Sequence, residues 1–523
     1  VSLADSQMDT EFSDRDMDGS YSESDAVKIT LNGTGAEADG NGVTVSGSTV
    51  TITDAGTYAV TGTLENGQII VEADDDADKV QIVLKGADIH CETGAAIYVK
   101  SADKVFVTLA EGTSNKLSGG TEYADTDDNT VDGVIFSKSD LTVNGGGTLE
   151  INADYKHGIV SKDTLAVTGG TLVIDSVSQC LSGKDQVKIA GGTFRLTTEG
   201  KAVKAENEDD ATLGNIYIAG GAFVVKSEDD AFHANGSMVI DGGTFTVESG
   251  DDAFHAELDL AVNGGSINII SSYEGLEGYR VTVTGGDISL TAEDDGVNAA
   301  APSSDDTSDD AVSSAAAEQQ DRRPGGGNPG GGMGGPGGGS PGGGMGGGME
   351  NDPNAYIKIT GGTLTVDARG DGIDSNGSLI VSGGTVYVSG SVDNGNSALD
   401  YNGSAGISGG TVIAAGSSGM AQGFGETSSQ YSVSYTFTDE KEAGSTVTLT
   451  DKDGNVLARW APAKQFSTVI VSAPDLKEGE TYTLTAGTDS AEVTLSSVVT
   501  SNLTKGGGGG APGGGQGGRP NAR

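Results

Sequence analysis

Short runs in which apolar and polar residues alternate fill most of this chain. In residues 239–247 (VIDGGTFTV), two such runs flank a pair of glycines. Alternation with a period of two is typical of a strand with one buried face, and paired glycines favour a tight turn. The repeating region lacks the 3.6-residue apolar period of a helix, so the pattern predicts a protein built of short strands and turns.

The glycine pairs recur at a nearly constant interval. Ten pairs begin at Gly146, Gly169, Gly191, Gly220, Gly242, Gly264, Gly285, Gly361, Gly383 and Gly409, and five of the nine steps are 21 or 22 residues. A period of this length indicates a solenoid, in which each repeat completes one coil and the core grows with chain length. We therefore predict an all-β fold, a parallel β-helix with about 22 residues per coil.

The same patterns divide the chain into five predicted parts. These are an acidic N-terminal arm or cap (1–25), an N-terminal β-cap (26–78), the β-helix (79–424), a small antiparallel C-terminal β-domain (425–504) and a Gly-rich tail (505–523). Residues 300–354 are rich first in Ser and Asp and then in Gly and Pro, which predicts a disordered loop extruded from one coil. We expect disorder in the tail as well, and expect the C-terminal domain to cover the open end of the helix.

The charge balance excludes several classes of partner. The net charge is −47 and the isoelectric point is near 4.1. Nucleic acids and anionic membrane surfaces need basic patches, so neither is an expected partner. Bound divalent cations are one way to neutralise so much negative charge.

The cysteines, the apolar runs and the start of the chain concern the compartment. Cys91 and Cys180 are far apart in sequence. Two buried free thiols are the favoured interpretation, and a disulfide between them is the alternative. No apolar run reaches the length of a transmembrane helix. A chain that begins at Val1, with few cysteines and an acidic surface, fits an exported bacterial protein whose leader has been removed. We expect an extracellular or cell-surface monomer.

Aligning the coils on their glycine pairs exposes a four-residue motif with polar first and fourth positions. The first position holds Asp230, Asp252, Glu274, Asp295 and Asp371, and the fourth holds His233, His255, Glu277, Asn298, Asp374 and Asp400. Asp229, Asp251 and Asp294 precede members of the first column. Since stacked coils lie about 4.8 Å apart, both positions should form vertical columns. Like charges at that spacing repel by about 3 kcal/mol per pair at an effective dielectric constant near 20.

This repulsion, together with clustered hard oxygen ligands, favours Ca²⁺ between adjacent coils. The alternative is that the aspartates end turns and accept hydrogen bonds from backbone amides. Both columns share a face only if the motif turns a corner, because positions one and four of a straight strand point in opposite directions. For His233 and His255 a hydrogen-bonded ladder is favoured over a zinc pair, since no third nitrogen or thiolate ligand lies nearby in the pattern.

Several segments resemble one known family. They are the stacked Asp-Asp-Ala-Phe-His motifs at 229–233 and 251–255, the Gly-Gly-Thr turns, the Gly/Pro-rich loop, and the stretches 12–16 (FSDRD) and 105–112 (VFVTLAEG). Over nearly its whole length the chain resembles secreted bacterial carbohydrate-binding β-helix proteins similar to pectate lyases. The resemblance implies a right-handed β-helix, bound calcium, and affinity for polygalacturonate (pectin) and cellulose. It carries calcium binding over to Asp229, Asp230, Asp251, Asp252, Glu274, Glu277, Asp294, Asp295, Asp371 and Asp374.

The function expected from these observations is calcium-dependent binding of plant cell-wall polysaccharide without catalysis. An acidic protein repels polygalacturonate unless a cation bridges the two sets of carboxylates. Candidate sugar contacts are Lys201, Lys204, Tyr273, Tyr279 and Arg280. One alternative is an active polysaccharide lyase, in which calcium and a Lys or Arg base would drive β-elimination on a uronate. The other is a structural surface protein or adhesin, and no catalytic residue is assigned.

Overall fold

The computed structural model of the chain describes residues 8–74, 77–124, 131–302 and 351–503. These residues form an all-β, solenoid-like structure in which 39 strands join one large, mostly parallel sheet and four strands form a second sheet. Most of the predicted loop (300–354) and the tail (505–523) lie outside the described residues. The single helix of the described ranges, Asp14–Met17, has four residues, and no described helix is long and apolar enough to span a membrane.

The first ten strands already build the stack. They are β1 (Val27–Gly33), β2 (Ala36–Ala38), β3 (Val43–Ser46), β4 (Thr49–Ile52), β5 (Gly56–Leu64), β6 (Gln68–Glu72), β7 (Lys79–Cys91), β8 (Ile97–Ser101), β9 (Lys104–Leu109) and β10 (Ser114–Gly119). β1 pairs in parallel with β5, β5 with β7, and β4 with β6. Among these ten strands the antiparallel pairs are β1 with β2 and β3 with β4. The parallel pairing therefore extends into residues 26–78, the predicted cap.

The central strands repeat in groups of three. They are β11 (Gly133–Ser137), β12 (Asp140–Gly145), β13 (Thr148–Ala153), β14 (His157–Ser161), β15 (Thr164–Val167), β16 (Thr171–Ser176), β17 (Leu181–Gly183), β18 (Gln186–Ile189), β19 (Thr193–Thr198), β20 (Val203–Ala205), β21 (Asn215–Ile218), β22 (Ala222–Ser227), β23 (Phe232–Ala234), β24 (Met238–Ile240), β25 (Thr244–Glu248), β26 (Phe254–Val262), β27 (Ser266–Ser272), β28 (Leu276–Val283), β29 (Asp287–Ala292) and β30 (Val297–Ala299). After residues 303–350 they continue as β31 (Tyr356–Ile359), β32 (Thr363–Ala368), β33 (Ile373–Ser375), β34 (Ser378–Ser389), β35 (Leu399–Tyr401) and β36 (Ala405–Gly416).

Three parallel ladders result from this repetition. The first runs β10-β13-β16-β19-β22-β25-β27-β29-β32, the second β11-β14-β17-β20-β23-β26-β28-β30-β33-β35, and the third β9-β12-β15-β18-β21-β24-β26. Paired residues lie one rung apart; Phe232 pairs with Phe254, and Phe254 pairs with Leu276. Val297 pairs with Ile373, so the chain re-enters the same ladders after residues 303–350.

Apolar residues that point inward fill the solenoid. Phe194, Phe223 and Phe245 stack on successive rungs, with ring centroids 4.4 and 4.7 Å apart. Phe232 and Phe254 stack at 4.8 Å and meet this column edge to face. Such offset and edge-to-face contacts add to the stabilisation from burial alone.

The glycine pairs turn the chain between the third and first ladders. In nine of the ten pairs the second glycine has a positive φ, for example 114° at Gly243 and 96° at Gly265, a conformation that side chains disfavour. The first glycine lies against the preceding rung; a Cβ on Gly264 would be 2.5 Å from the carbonyl oxygen of Asp241. The second position of nine pairs and the first position of most pairs therefore favour glycine, which explains the sequence period.

Seven strands follow the solenoid. They are β37 (Ser432–Lys441), β38 (Val447–Thr450), β39 (Val456–Trp460), β40 (Phe466–Ser472), β41 (Thr481–Ala486), β42 (Asp489–Thr494) and β43 (Val499–Ser501). β40 pairs antiparallel with the last solenoid strand, β36, and with β37, while β37 and β43 are parallel. The C-terminal strands thus cover the edge at which the parallel ladder ends.

The N-terminal arm packs against the solenoid from Asp9 onward. The backbone amide of Asp9 donates to Oε1 of Gln186, and its carbonyl accepts from Nε2 of the same side chain. The Asp9 carboxylate forms an ion pair with Lys188. Asp16 is 2% exposed; its Oδ1 lies 2.8 Å from Lys104 Nζ and accepts a 2.6 Å hydrogen bond from Thr142. Lys104 and the Ser13 and Thr142 hydroxyls outweigh burial and hold the pKa of Asp16 at about 2.

Candidate functional site

The fourth motif position forms a vertical column on the second ladder. Its register runs, rung by rung, through Lys204, His233, His255, Glu277, Asn298, Asp374 and Asp400. This is the order of the sequence alignment. Residues that are 21 to 76 positions apart in the chain therefore become neighbours at the spacing of paired strands.

The first motif position lies where the chain turns from the first ladder into the second. Among the described residues, the four aspartates of the column, but not Glu274, each accept a hydrogen bond from an amide of the next rung. Oδ1 of Asp230 accepts from the amide of Asp252 at 3.0 Å, Oδ1 of Asp252 from Glu274 at 3.0 Å, and Oδ1 of Asp295 from Asp371 at 2.6 Å. Amide capping and clustering thus occur together, and we call this corner, with both columns, the acidic corner.

Because the motif bends, its two columns converge. The described residues include four groups whose ligand atoms lie within 4.8 Å of one another: Asp229/Asp230/Asp251, Asp230/His233/His255, Asp252/His255/Glu277 and Asp295/Asp371/Asp374. Together they contain eight of the ten residues predicted to bind calcium; Glu274 and Asp294 belong to none of the groups. Asp294 lies next to the last group and accepts a hydrogen bond from Tyr273, which raises the pKa of that tyrosine to about 12.

Lys201 neutralises the first group. Its Nζ lies 3.0 Å from Oδ1 of Asp229 and 2.9 Å from Oδ2 of Asp230. Although burial disfavours a charged lysine, Asp230 and Asp229 raise the pKa of Lys201. Burial is likewise outweighed at Asp230, where His233 and Lys201 hold the pKa well below its usual range. The group therefore already contains a cation supplied by the protein.

His255 lies at the centre of the second set of carboxylates. Its Nδ1 is 3.4 Å from Asp252 Oδ2, 3.4 Å from Glu277 Oε2 and 3.8 Å from Asp230 Oδ2. Burial alone would lower the pKa of His255, but Asp252, Glu277 and Asp230 raise it to about 10. The imidazolium form therefore compensates part of this negative charge.

Glu274 and Asn298 flank that group with two unpaired atoms. The Asn298 amide donates to Oε1 of Glu274 at 3.2 Å, whereas Oε2 of Glu274 and Oδ1 of Asn298 are buried without a hydrogen-bond partner among the described residues. Burial, with the nearby Glu277 and Asp252, raises the pKa of Glu274. Burial and the neighbouring carboxylates therefore favour the protonated form of Glu274.

Asp295, Asp371 and Asp374 have no such internal cation. No Lys, Arg or His of the described ranges forms an ion pair with any of the three. Burial and the mutual repulsion of neighbouring aspartates raise the pKa of Asp295 and of Asp371 to about 7, and that of Asp374 to about 6. These three carboxylates supply only hard oxygen donors, which is the donor set that Ca²⁺ prefers.

The remaining predicted contacts are spread along the same face and are mostly paired. Lys204 lies 2.7 Å from Glu206, and Arg280 forms a two-pronged ion pair with Asp259. Tyr279 donates to Asp352, while Tyr273 is 47% exposed. Cys91 and Cys180 are both buried free thiols, which matches the favoured alternative.

The sequence analysis missed two lysines on this face. Lys162 and Lys184 line a groove of about 360 Å³ together with Lys204, on the rungs that precede the acidic corner. The sequence did contain a signal: each lysine follows the four-residue motif of its coil by two positions, and the two lysines are 22 residues apart. Taken together, fold and site define an all-β solenoid with one strongly charged corner.

Comparisons with known proteins add the following. Residues 46–304, about half of the chain, match the family described as carbohydrate-binding domain-containing protein. A protein of that description from Acetivibrio thermocellus is 36% identical over 151 residues, which are 28% of this chain and 52% of the relative. The chain thus spans about half the length of that relative. A solved structure described as the polysaccharide lyase-like protein from C. thermocellum, a gadolinium derivative, is 32% identical, covers 45% of this chain and 96% of its own, and has a TM-score of 0.44.

Proposed function

We propose that this protein is a non-catalytic, calcium-dependent binder of an acidic polysaccharide such as polygalacturonate, acting outside the cell. The match of residues 46–304 to a carbohydrate-binding family supports a polysaccharide ligand. The matched segment includes most of the acidic corner, up to Asp295. Calcium dependence and the acidic ligand are inferred from the chemistry of that corner.

The observation that carries the proposal is the group of Asp295, Asp371 and Asp374. Their carboxylate oxygens lie within 4.8 Å of one another with no ion pair to a described basic residue. A bound Ca²⁺ would relieve their repulsion and accept further oxygen ligands, because calcium coordinates six to eight oxygens. Asp294 and Asp400 lie nearby, and the negative charge of each helps to raise the pKa values of Asp371 and Asp374.

A cation is also what an acidic ligand requires. The chain carries 76 acidic and 29 basic residues, so a uronate chain would be repelled along most of the surface. Calcium held by three protein carboxylates keeps open coordination positions for ligand oxygens. The metal would therefore bridge protein and polysaccharide as well as stabilise adjacent rungs.

Non-catalytic binding is preferred over lyase activity because the candidate bases are held by carboxylates. Lys201 is bound by Asp229 and Asp230, and the guanidinium of Arg280 by both oxygens of Asp259. A general base must be free to take the proton next to the uronate carboxylate. In these positions the cations instead serve the charge balance of the protein.

The test is retention of the full chain on immobilised polygalacturonate, with calcium or with a chelator, combined with calorimetric calcium titration. We expect calcium to increase retention, and expect Asp295→Asn together with Asp371→Asn to abolish one calcium-binding event and this increase. Asp287→Asn with Asp439→Asn removes two exposed carboxylates elsewhere and serves as the control.

Each rival function has its own outcome. Release of unsaturated uronides that absorb in the near ultraviolet would establish a lyase. Calcium uptake without retention of any polysaccharide would favour the structural surface protein, in which calcium only stiffens the solenoid. Unchanged calcium uptake in the double Asp→Asn variant would refute the assignment of the metal to Asp295 and Asp371.

A further inference from the structure

Lysines stack on successive rungs beside the acidic corner, although acidic residues far outnumber basic ones in this chain. The amide of Lys138 donates to the carbonyl of Val99, that of Lys162 to Ser137, and that of Lys184 to Ser161, at 2.8–3.0 Å. Ser137, Ser161 and Gly183 are paired across the second ladder. The three lysines therefore occupy equivalent positions at the spacing of paired strands, about 4.8 Å.

The ammonium groups of two of these lysines, Lys138 and Lys162, lie over aromatic rings. Nζ of Lys138 lies 5.9 Å from the centroid of Tyr98, and Nζ of Lys162 lies 5.6 Å from that of Phe136. Both rings are buried. The cation–π contact and the packing of the methylene groups hold the ammonium groups on one face of the solenoid.

Like charges on neighbouring rungs repel, so a column of lysines needs negative partners. Lys184 pairs with Asp209 at 2.6 Å and Lys204 with Glu206 at 2.7 Å, whereas exposed Lys162 forms no ion pair among the described residues. Asp209 and Glu206 belong to the connection between β20 and β21. The exposed Lys184–Asp209 pair contributes little and exchanges readily with other anions, whereas the Lys204 side chain is only 12% exposed.

We propose that Lys162, Lys184 and Lys204 form a calcium-independent binding groove for a linear uronate polysaccharide that runs parallel to the solenoid axis. The inference rests on the proposed function only in taking the ligand to be an acidic polysaccharide. The groove of about 360 Å³ is lined by polar side chains, among them Gln179, Ser182 and His157, which can bind sugar hydroxyls. Its size falls within the usual range for ligand sites, roughly 300–1,000 Å³.

The geometry selects a polymer with one carboxylate on every sugar. Lys162 and Lys184 occupy equivalent positions on successive rungs, and Lys204 lies on the next rung at a different position, opposite Ser182. A chain with regularly spaced anions can therefore engage several of these ammonium groups at once.

In the free protein Asp209 pairs with Lys184 and Glu206 with Lys204. Asp132 and Glu208 also line the groove. A uronate chain must therefore approach from the side of Lys162, which is exposed, and of Lys184. Along the same face, Lys201 with Asp229 and Asp230 marks the change from the lysine groove to the acidic corner.

The experiment measures binding of the full chain to polygalacturonate at low salt, in a chelator and in calcium. In the chelator we expect salt-sensitive binding that Lys162→Ala with Lys184→Ala weakens by about tenfold or more, the effect of losing charge-assisted hydrogen bonds. Lys162→Arg with Lys184→Arg should retain it, and Asp209→Asn should strengthen it severalfold. The control, Lys358→Ala with Lys452→Ala, removes two exposed charges elsewhere and should bind as the unmodified chain does.

The outcomes separate this inference from the calcium proposal. Absence of binding in the chelator, with calcium-dependent binding intact, would overturn the lysine groove alone. Unchanged binding of the Lys→Ala variant in the chelator would do the same. Loss of only the calcium-dependent increment in Asp295→Asn with Asp371→Asn supports both proposals. Fully methyl-esterified galacturonan should not bind in the chelator, and equally strong, lysine-dependent binding of dextran sulfate would overturn the assignment to carboxylates.

Discussion

The backbone amide of Asp252 donates a 3.0 Å hydrogen bond to Oδ1 of Asp230, one rung earlier in the solenoid. The same relation joins Glu274 to Asp252, and Asp371 to Asp295. One oxygen of each aspartate therefore supports the main chain, while the other faces the neighbouring side chains. The acidic corner is thus part of the structural frame as well as a candidate binding site.

This dual role predicts a stability difference between two substitutions at Asp252. Asp252→Ala removes the acceptor of the Glu274 amide and should lower the free energy of unfolding by about 1–3 kcal/mol, the cost of an unsatisfied buried donor. Asp252→Asn keeps a side-chain oxygen at the same position and should cost less. Denaturant unfolding in a chelator measures both, and equal losses would contradict the structural role of Oδ1.

Removal of the lysine inside the acidic corner should destabilise the protein strongly. Lys201→Met leaves Asp229 and Asp230 without their buried partner, and the expected cost is about 3–5 kcal/mol. Asp230→Asn added to Lys201→Met should recover part of that loss, because one uncompensated charge disappears. Thermal unfolding of the two variants checks the prediction, and a neutral effect of Lys201→Met would show that solvent cations replace the ammonium group.

The calcium-free protein should lose stability as the pH rises. Asp295 and Asp371 have folded-state pKa values of about 7, and Asp374 of about 6, all above the unfolded value of about 3.9. Between pH 4 and 7 the folded state therefore binds more protons than the unfolded state, and this contribution to stability disappears as the pH passes about 7. Melting temperatures in a chelator should be lower at pH 8 than at pH 5.

Calcium should remove that part of the pH dependence, because a bound cation replaces the protons. The triple variant Asp295→Asn, Asp371→Asn, Asp374→Asn serves as the control, since the remaining charges of the chain are unchanged. A pH slope that is the same with and without calcium in the unmodified protein would contradict the coupling. Proton release during calcium titration near pH 6 provides an independent measurement.

The turn glycines should resist substitution in a position-specific way. Gly265 has a φ of 96°, and a Cβ there would lie 2.9 Å from the carbonyl oxygen of Gly243. Gly265→Ala should cost about 1–3 kcal/mol, as strained backbone positions do. Gly406→Ala is the matched control, because Gly406 has no positive φ and its nearest neighbour, Thr427, is 3.6 Å away. Chemical denaturation distinguishes the two.

Much of the fold could be predicted because the glycine pairs report the period directly. Only glycine fits at Gly243 and Gly265, so the spacing in sequence equals the spacing of turns, and the fourth-position column follows from it. The point at which parallel pairing begins, placed by the sequence at residue 79 between the N-terminal cap and the β-helix, was harder to predict. Alternating residues in β1, β4 and β5 suit parallel and antiparallel partners equally, and no glycine pair marks those rungs.

The charge compensation inside the site could not be read from the sequence. Whether Lys201 reaches Asp229 and Asp230, or His255 lies between Asp252 and Glu277, depends on how the motif bends at the corner. The docking of Asp9 on Lys188, 179 positions away, likewise has no local signal. Positions along the chain were therefore predictable, but side-chain directions were not.

Val297 pairs with Ile373 across 76 positions, in the same register as Phe254 with Leu276 across 22. Extra length at this corner thus leaves the ladders unchanged, in keeping with the slow growth of loop-closure entropy. Guest sequences, such as a fluorescent domain or a second binding module, could be grafted between β30 and β31. The solenoid would then serve as a rigid display scaffold whose cargo sits beside its own charged face.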